Sequence, residues 1–209
     1  MISVPERGIY LASRSPRRRE LLSQIGVRYH LLLFRERIDE RPEVEEAPLA
    51  SETPAVYVER LARSKAEAGW RRMLQRNLPP APVLAADTTV ALEGRIFGKP
   101  KDRAEAAEML AALSGRRHEV LTAVALKNHD QLELALSSSE VLLKKLSDDE
   151  IAQYVASGEG DDKAGAYAIQ GRAARFIVEL RGSYSGVAGL PLYETSQVLD
   201  KVRERRNPY

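Results

Sequence analysis

Three places in this chain set charge against the local pattern. One is an aspartate inside the apolar run "VLAADTTVAL", residues 83–92. Successive strand side chains alternate, so Val83, Ala85, Asp87, Thr89 and Ala91 share one face. A carboxylate there is costly unless it is paired, hydrogen-bonded or bound to a metal. A structural acid capping a nearby loop would meet that need, but small neighbours leave room for a ligand, and a functional role is favoured. The second place is Lys65, which interrupts Val58, Leu61, Gly69 and Met73 at helical spacing. Its ammonium can snorkel to water or point into a cleft and hold a phosphate. Lys99 in "FGKPKD" (97–102) is constrained between Gly98 and Pro100, within reach of the same place. The third is Arg17, Arg18 and Arg19 in "LASRSPRRRELLSQIGV" (11–27), directly after Ser15-Pro16. Cations are unfavourable where a helix begins. Either the arginines reach solvent, or an anion sits there, bound by guanidinium and free N–H groups together.

Composition narrows the chemistry. The chain has 209 residues, 44% of them hydrophobic and 30% charged, with a formal net charge of +2. That length and apolar content support a core of one large domain or two small halves. Near-neutral charge excludes a polybasic nucleic-acid coat. No cysteine is present, which excludes disulfides, thiol catalysis and Cys-ligated metals. His30, His118 and His129 lack metal-ligand spacing and read as structural or exposed. No G-x-x-x-x-G-K-[ST] occurs, and no G-x-G-x-x-G follows a strand. Oxygen ligands with basic residues suit magnesium and phosphates. No apolar stretch approaches a membrane span. "MISVPERGIY" does not read as a signal peptide, and a soluble cytoplasmic protein is expected.

The elements that must position these residues follow from caps and periodicity. Residues 8–13 read as a short buried strand, followed by a helix with Ser15 as N-cap, Pro16 first and Gly26 as stop. Residues 28–34 read as a strand, 35–53 as a charged, solvated loop, and 54–76 as a long helix capped by Thr53. Residues 83–92 form a central strand buried on both faces. A helix is predicted over 102–115, and a hairpin over 118–146 turning at Asn128-His129-Asp130. Ser147 and Glu150 stand at capping-box spacing before the next helix. "GEGDDKAGAYAIQG" is irregular, "ARFIVELRG" a strand and "GLPLYETSQVLDKVRERR" a closing helix. Interleaved helices and hairpins favour a mixed α/β sheet over a strictly parallel one.

Motifs in their order along the chain carry a resemblance. "LASRSPRRRELL", "RIDE", "RLARSKA", "AADTTV", "FGKP", "LSGRRHEVLTAV", "DKAGAYAIQG" and "GSYSGVAGLPLYET" resemble the Maf family of nucleoside triphosphate pyrophosphatases over almost the whole length. The resemblance implies a single domain over 1–209, with a mixed, twisted central sheet, flanking helices and two lobes around one cleft (a Ham1-like, inosine triphosphatase-like fold). It implies hydrolysis of a nucleoside triphosphate to the monophosphate and pyrophosphate. A divalent cation is required: magnesium, with manganese or cobalt as alternatives. Asp87 resembles the catalytic acid, and Glu40 in "RIDE" a carboxylate that holds the metal with it. Ser13, Arg17, Lys65 and Lys99 resemble the phosphate-binding set, which implies that only Arg17 of the three arginines need point inward and that Arg18 and Arg19 partly serve the surface. Arg17, Thr88 and Gln170 match positions linked to substrate choice. The segment containing Gln170 resembles the branch acting on dTTP and UTP, and an amide can donate and accept as a uracil or thymine edge requires. "MISVPER" and the acidic stretch 43–52 match nothing in the family and read as peripheral. A nucleotide partner is expected, without membrane or stable nucleic acid, and a homodimer is compatible with the resemblance. Two rivals are a 7-methyl-GTP pyrophosphatase, which the Gln170 segment opposes, and a nucleic-acid-binding or septum-inhibiting protein without turnover. Near-neutral charge and the buried Asp87 oppose the latter.

Overall fold

In a computed structural model describing residues 8–33 and 44–204, seven strands form one sheet among the described residues. They are β1 (Ile9–Leu11), β2 (Tyr29–Leu31), β3 (Val83–Leu92), β4 (Arg95–Phe97), β5 (Arg117–Asn128), β6 (Gln131–Leu143) and β7 (Ile177–Arg181). The helices are α1 (Pro16–Gln24), α2 (Pro54–Gln75), α3 (Arg103–Leu113), α4 (Asp148–Ala156), α5 (Tyr184–Val187) and α6 (Leu192–Glu204). Strand order is β2-β1-β3-β5-β6-β7, with β4 also on β3. β1 runs parallel to β2 and β3, and all other pairs are antiparallel, which makes the sheet mixed as expected.

The edges of β3 decide where a site can form. On one side β5 pairs with it continuously from Val83 to Ala91. On the other, β1 pairs only with Val83 and Leu84, and β4 only with Val90 to Leu92. Between them, residues 85–89 have no strand neighbour on that edge among the described residues. Both faces of β3 therefore open onto one space. Asp87 points from one face and Thr88 from the other.

Caps and turns follow the residue chemistry. The Ser15 hydroxyl accepts the Arg18 N–H at 3.5 Å, and Thr53 accepts that of Val56 at 3.4 Å. Asp102 caps α3 through the Glu105 N–H at 2.8 Å, and Ser147 with Glu150 closes a capping box on α4. The β5–β6 hairpin turns through His129-Asp130, with His129 in the left-handed region at φ 49°. A second tight turn at Glu93-Gly94 (φ 52° and 79°) leads into the short β4. "ARFIVELRG" is a strand only in its second half. Residues Arg172–Phe176 form a 3-10 turn, because the Glu159 carboxylate accepts the Arg172 N–H at 3.0 Å and fills the space a Cβ on Gly171 would need. The expected closing helix is preceded by the separate short α5.

Three apolar clusters seat the helices. Val58, Ala62, Ala66 and Met73 of α2 pack on Val83, Ala85, Ala123 and Ala125. On the opposite face Leu22 of α1 and Val198 and Val202 of α6 pack near Leu84, Ala86 and Val124. Phe97, Leu110, Leu113, Tyr154 and Phe176 gather with Val90 and Val120. No helix among the described residues is long and apolar enough to cross a membrane.

Gly69 lies one turn after Lys65 and lets α2 approach the sheet. A Cβ there would stand 2.7 Å from Val83 Cγ1 and 3.1 Å from the Ala12 Cβ. Gly69→Val should therefore push α2 outward and cost about 1–3 kcal/mol by overpacking. Urea denaturation measures this; an unchanged midpoint would show that the helix does not need the close approach.

Candidate active site

A cavity of about 700 Å³ opens over the unpaired edge of β3. On the α2 side, Lys65 projects from the buried stripe and its Nζ lies 2.6 Å from Asp87 Oδ1. The same ammonium lies 2.6 Å from Glu46 Oε1, and Glu46 Oε2 lies 3.9 Å from Lys99 Nζ. Glu46 reaches this place because its segment is tied to α2. Arg60 donates to the carbonyls of Glu45 and Ala47 and to the Glu52 carboxylate, and Tyr57 donates to the Glu46 carbonyl. Burial alone would raise the Glu46 carboxyl, but Lys65, Lys99 and Arg18 outweigh it and hold it below the usual carboxylate range. Burial, reinforced by the charges of Asp87 and Glu46, pushes the Tyr57 phenol up to about 12.

On the other face, Arg18 turns back from the first turn of α1. Its Nε donates to the Gly189 carbonyl at 2.7 Å, and its terminal nitrogens reach Thr88 Oγ1 at 3.3 Å and Ser13 Oγ at 3.5 Å. Thr122 Oγ1 lies 2.8 Å from the Gly186 carbonyl and 2.9 Å from Thr88 Oγ1. A carbonyl only accepts, so the single Thr122 proton is satisfied at Gly186, and Thr88 donates toward Thr122 while accepting from Arg18. Burial lowers the Arg18 guanidinium, while Asp87 and Glu46 oppose the shift. Its charge is thus held beside the acids by hydrogen bonds that satisfy most of its donors.

The cavity gathers most of the residues singled out from the sequence. Ser13, Arg17, Lys65, Asp87, Thr88 and Lys99 all line it. Arg17 also acts by charge on Glu159 and Asp162. Gln170 is exposed and stands just outside the lining, next to Ala168 and Ile169, which belong to it. Glu40 lies outside the described residues. Two expectations change. Arg18, expected partly to serve the surface, instead turns inward and hydrogen-bonds Gly189, Thr88 and Ser13. The acidic stretch 43–52 is not merely peripheral, since Glu46 sits on the two lysines. Adjacent arginines differ by a third of a helical turn, and only the phase set at Ser15 decides which faces inward. Glu46 has no periodic neighbours that would mark it.

The far wall of the cavity is made by Ala164, Tyr167, Ala168 and Ile169. The Tyr167 hydroxyl lies 2.8 Å from Nε2 of His118, which is buried, not exposed. Burial pushes the His118 imidazole down to about 4.

The described residues include no group of three or more acidic, histidine or cysteine side chains that could hold a metal. Asp87 and Glu46 instead offer two carboxylates around one ammonium. A profile described as "Maf-like protein" matches residues 8–202. The chain belongs to the Maf family. A dTTP/UTP pyrophosphatase of Nitrosomonas europaea is 57% identical over 201 residues, covering 96% of this chain and 97% of that protein. One from Aromatoleum aromaticum is 59% identical over 194 residues, covering 92% and 94%. Among solved structures, the Staphylococcus aureus Ham1 protein is 21% identical with a TM-score of 0.40, covering 65% of this chain and 71% of that one. Within this Maf chain the cavity is lined from the start of α1, from β3 and from residues 162–169, and Glu46 enters it from a separate segment.

The depressed His118 gives a stability prediction for the Maf fold. Between pH 6.5 and about 4 the unfolded chain binds a proton that the folded chain excludes, so stability falls as pH falls through that window. The loss is on the order of 3 kcal/mol. Denaturant midpoints measured from pH 7.5 to 4.5 should therefore decline less steeply in His118→Gln than in wild type. Parallel slopes would mean that His118 is protonated in the folded state.

Proposed function

We propose that this chain hydrolyses dTTP and UTP to the monophosphate and pyrophosphate in the cavity around Asp87, within a single domain whose two lobes meet over the gap in the sheet. The observation that carries the reading is a carboxylate on an unpaired strand edge, ion-paired to Lys65 among Arg17, Arg18 and Lys99. Relatives that share more than half their residues with this chain bear the same activity in their names. A cytoplasmic location follows from a free nucleotide as substrate, and a homodimer is compatible with it.

The chemistry needs a water, a base and a sink for negative charge. Asp87 orients the water against the α-phosphorus and takes its proton. The oxygen–phosphorus bond forms as the bridge to the β-phosphorus breaks, and pyrophosphate leaves with the electron pair. Lys65, Lys99 and Arg17 neutralise the triphosphate and stabilise the leaving group. Ser13, braced at the start of α1, adds a hydroxyl on the phosphate side. Asp87 and Glu46 fit a hard divalent cation such as magnesium, which takes one or two carboxylates together with substrate phosphates. Manganese and cobalt are alternatives, and Glu40 would join this set by family resemblance. When bound, such a cation spreads charge over the phosphate oxygens and makes the water more acidic. Thr88 and Gln170 read the base: Thr88 from the floor of the cavity, Gln170 from its rim through an amide that matches a pyrimidine edge.

Pyrophosphate release should be measured on dTTP, UTP, 7-methyl-GTP and ATP with magnesium. Asp87→Asn should lower kcat by roughly 10² to 10⁴ with an unchanged far-ultraviolet dichroism spectrum. A variant that kept most of the wild-type rate would remove Asp87 from the chemistry. Lys65→Ala should raise KM and lower kcat together, and unchanged kinetics would leave that lysine a purely structural partner of Asp87.

A further inference from the structure

His118 makes no contact with the catalytic groups, yet its position is coupled to the cavity. His118, Val120 and Thr122 follow one another on the same face of β5. Thr122 supports Thr88, Val120 lines the cavity itself, and His118 supports Tyr167. The imidazole is 3% exposed. Its Nδ1 lies 3.4 Å from the Arg116 carbonyl, which can only accept, so the ring proton belongs on Nδ1. Nε2 is then a lone pair, and the Tyr167 hydroxyl at 2.8 Å must donate to it. The two rings meet edge to face at 5.6 Å. The phenol proton is thereby turned away from the cavity.

The wall that Tyr167 belongs to needs such a tether. Residues 164–169 hold only one short 3-10 turn, Ala164–Ala166, and its Gly165 is not helical. Gly165 and Ala166 both adopt left-handed backbone, φ 68° and 59°, which for alanine is strained. The wall is held from outside: the Gly165 N–H donates to the Gly98 carbonyl at 3.0 Å, and the Ala168 N–H to the Tyr154 hydroxyl at 3.1 Å. Tyr167 stands between these two ties, and its own side-chain bond is the one to His118. The wall residues Ala164, Tyr167, Ala168 and Ile169 are predominantly apolar, and the packing of Ala166 and Tyr167 with Val90 and Val120 puts the wall on the Thr88 side of β3, the face opposite Lys65. A heterocyclic base would rest against it while phosphates meet the cations.

We propose that His118 is a positioning residue: through the Tyr167 hydroxyl it fixes the wall against which the nucleotide base packs, and so sets discrimination between bases. This rests on the nucleotide pyrophosphatase reading above. The same nucleotide panel tests it, with tripolyphosphate as a competitive probe of the phosphate end alone. His118→Phe keeps a ring but offers no acceptor to the phenol. It should raise KM for dTTP and UTP by roughly tenfold, change kcat far less, and narrow the preference for them over ATP by a similar factor. Inhibition by tripolyphosphate should not change. His118→Gln, which keeps an acceptor, should restore the preference. If His118→Phe does not fold, Tyr167→Phe removes the same hydrogen bond from the other side and should narrow the preference likewise. A lowered melting temperature with wild-type preference in both single variants would overturn the proposal, as would a His118→Gln variant as unselective as His118→Phe. A wild-type chain inactive on every nucleotide would fail the pyrophosphatase reading itself, and this inference with it.

Discussion

A backbone edge without a partner is the constraint on which the site depends. β1 stops at Leu11 and β4 begins its pairing at Val90, so residues 85–89 of β3 have, among the described residues, only β5 as a strand partner. Exposed strand edges are ordinarily covered or blunted. Here the edge lies at the floor of a cavity, with Lys65, Glu46 and Arg18 around it and an apolar wall facing it. Because a strand alternates its side chains, an opening at its edge exposes neighbours from opposite faces. An acid and a hydroxyl adjacent in sequence thus come to line one cavity from two directions.

Each face is backed by its own helix and its own cations. α2 sits close to the sheet through Gly69 and alanines, which brings Lys65 onto Asp87. α1 starts at the end of β1, and its first turn sends Arg18 back across the gap to Gly189 and Thr88. An arginine at a helix start opposes the helix dipole. In this case the guanidinium is satisfied by a carbonyl and hydroxyls and stands near the carboxylates of Asp87 and Glu46, which compensates for that opposition.

Much of this was legible in the residues. Asp87 and Lys65 stood out because each broke a periodic apolar pattern, and a break in periodicity survives without knowledge of the tertiary fold. The hairpin at His129-Asp130, the caps at Ser15, Thr53 and Ser147 and the mixed character of the sheet were legible for the same reason: they are local. Arg18 could not be told from Arg17, since the choice depends on where the helix starts its rotation. Glu46 lies in a segment without period, placed by the tertiary contacts of Arg60 and Tyr57. His118 read only as structural or exposed, because its partner Tyr167 lies 49 residues further on in a segment without period. Gln170, which the family motif marks, ended on the rim and not in the lining.

The alternation of β3 also separates two heritable properties. Even-numbered positions face Arg18, Thr122 and the wall around Tyr167, while odd-numbered positions face α2 and its lysine. In the proposed pyrophosphatase, substitutions on the even-numbered side would alter the surroundings of the ligand while leaving the acid on the odd-numbered side in place.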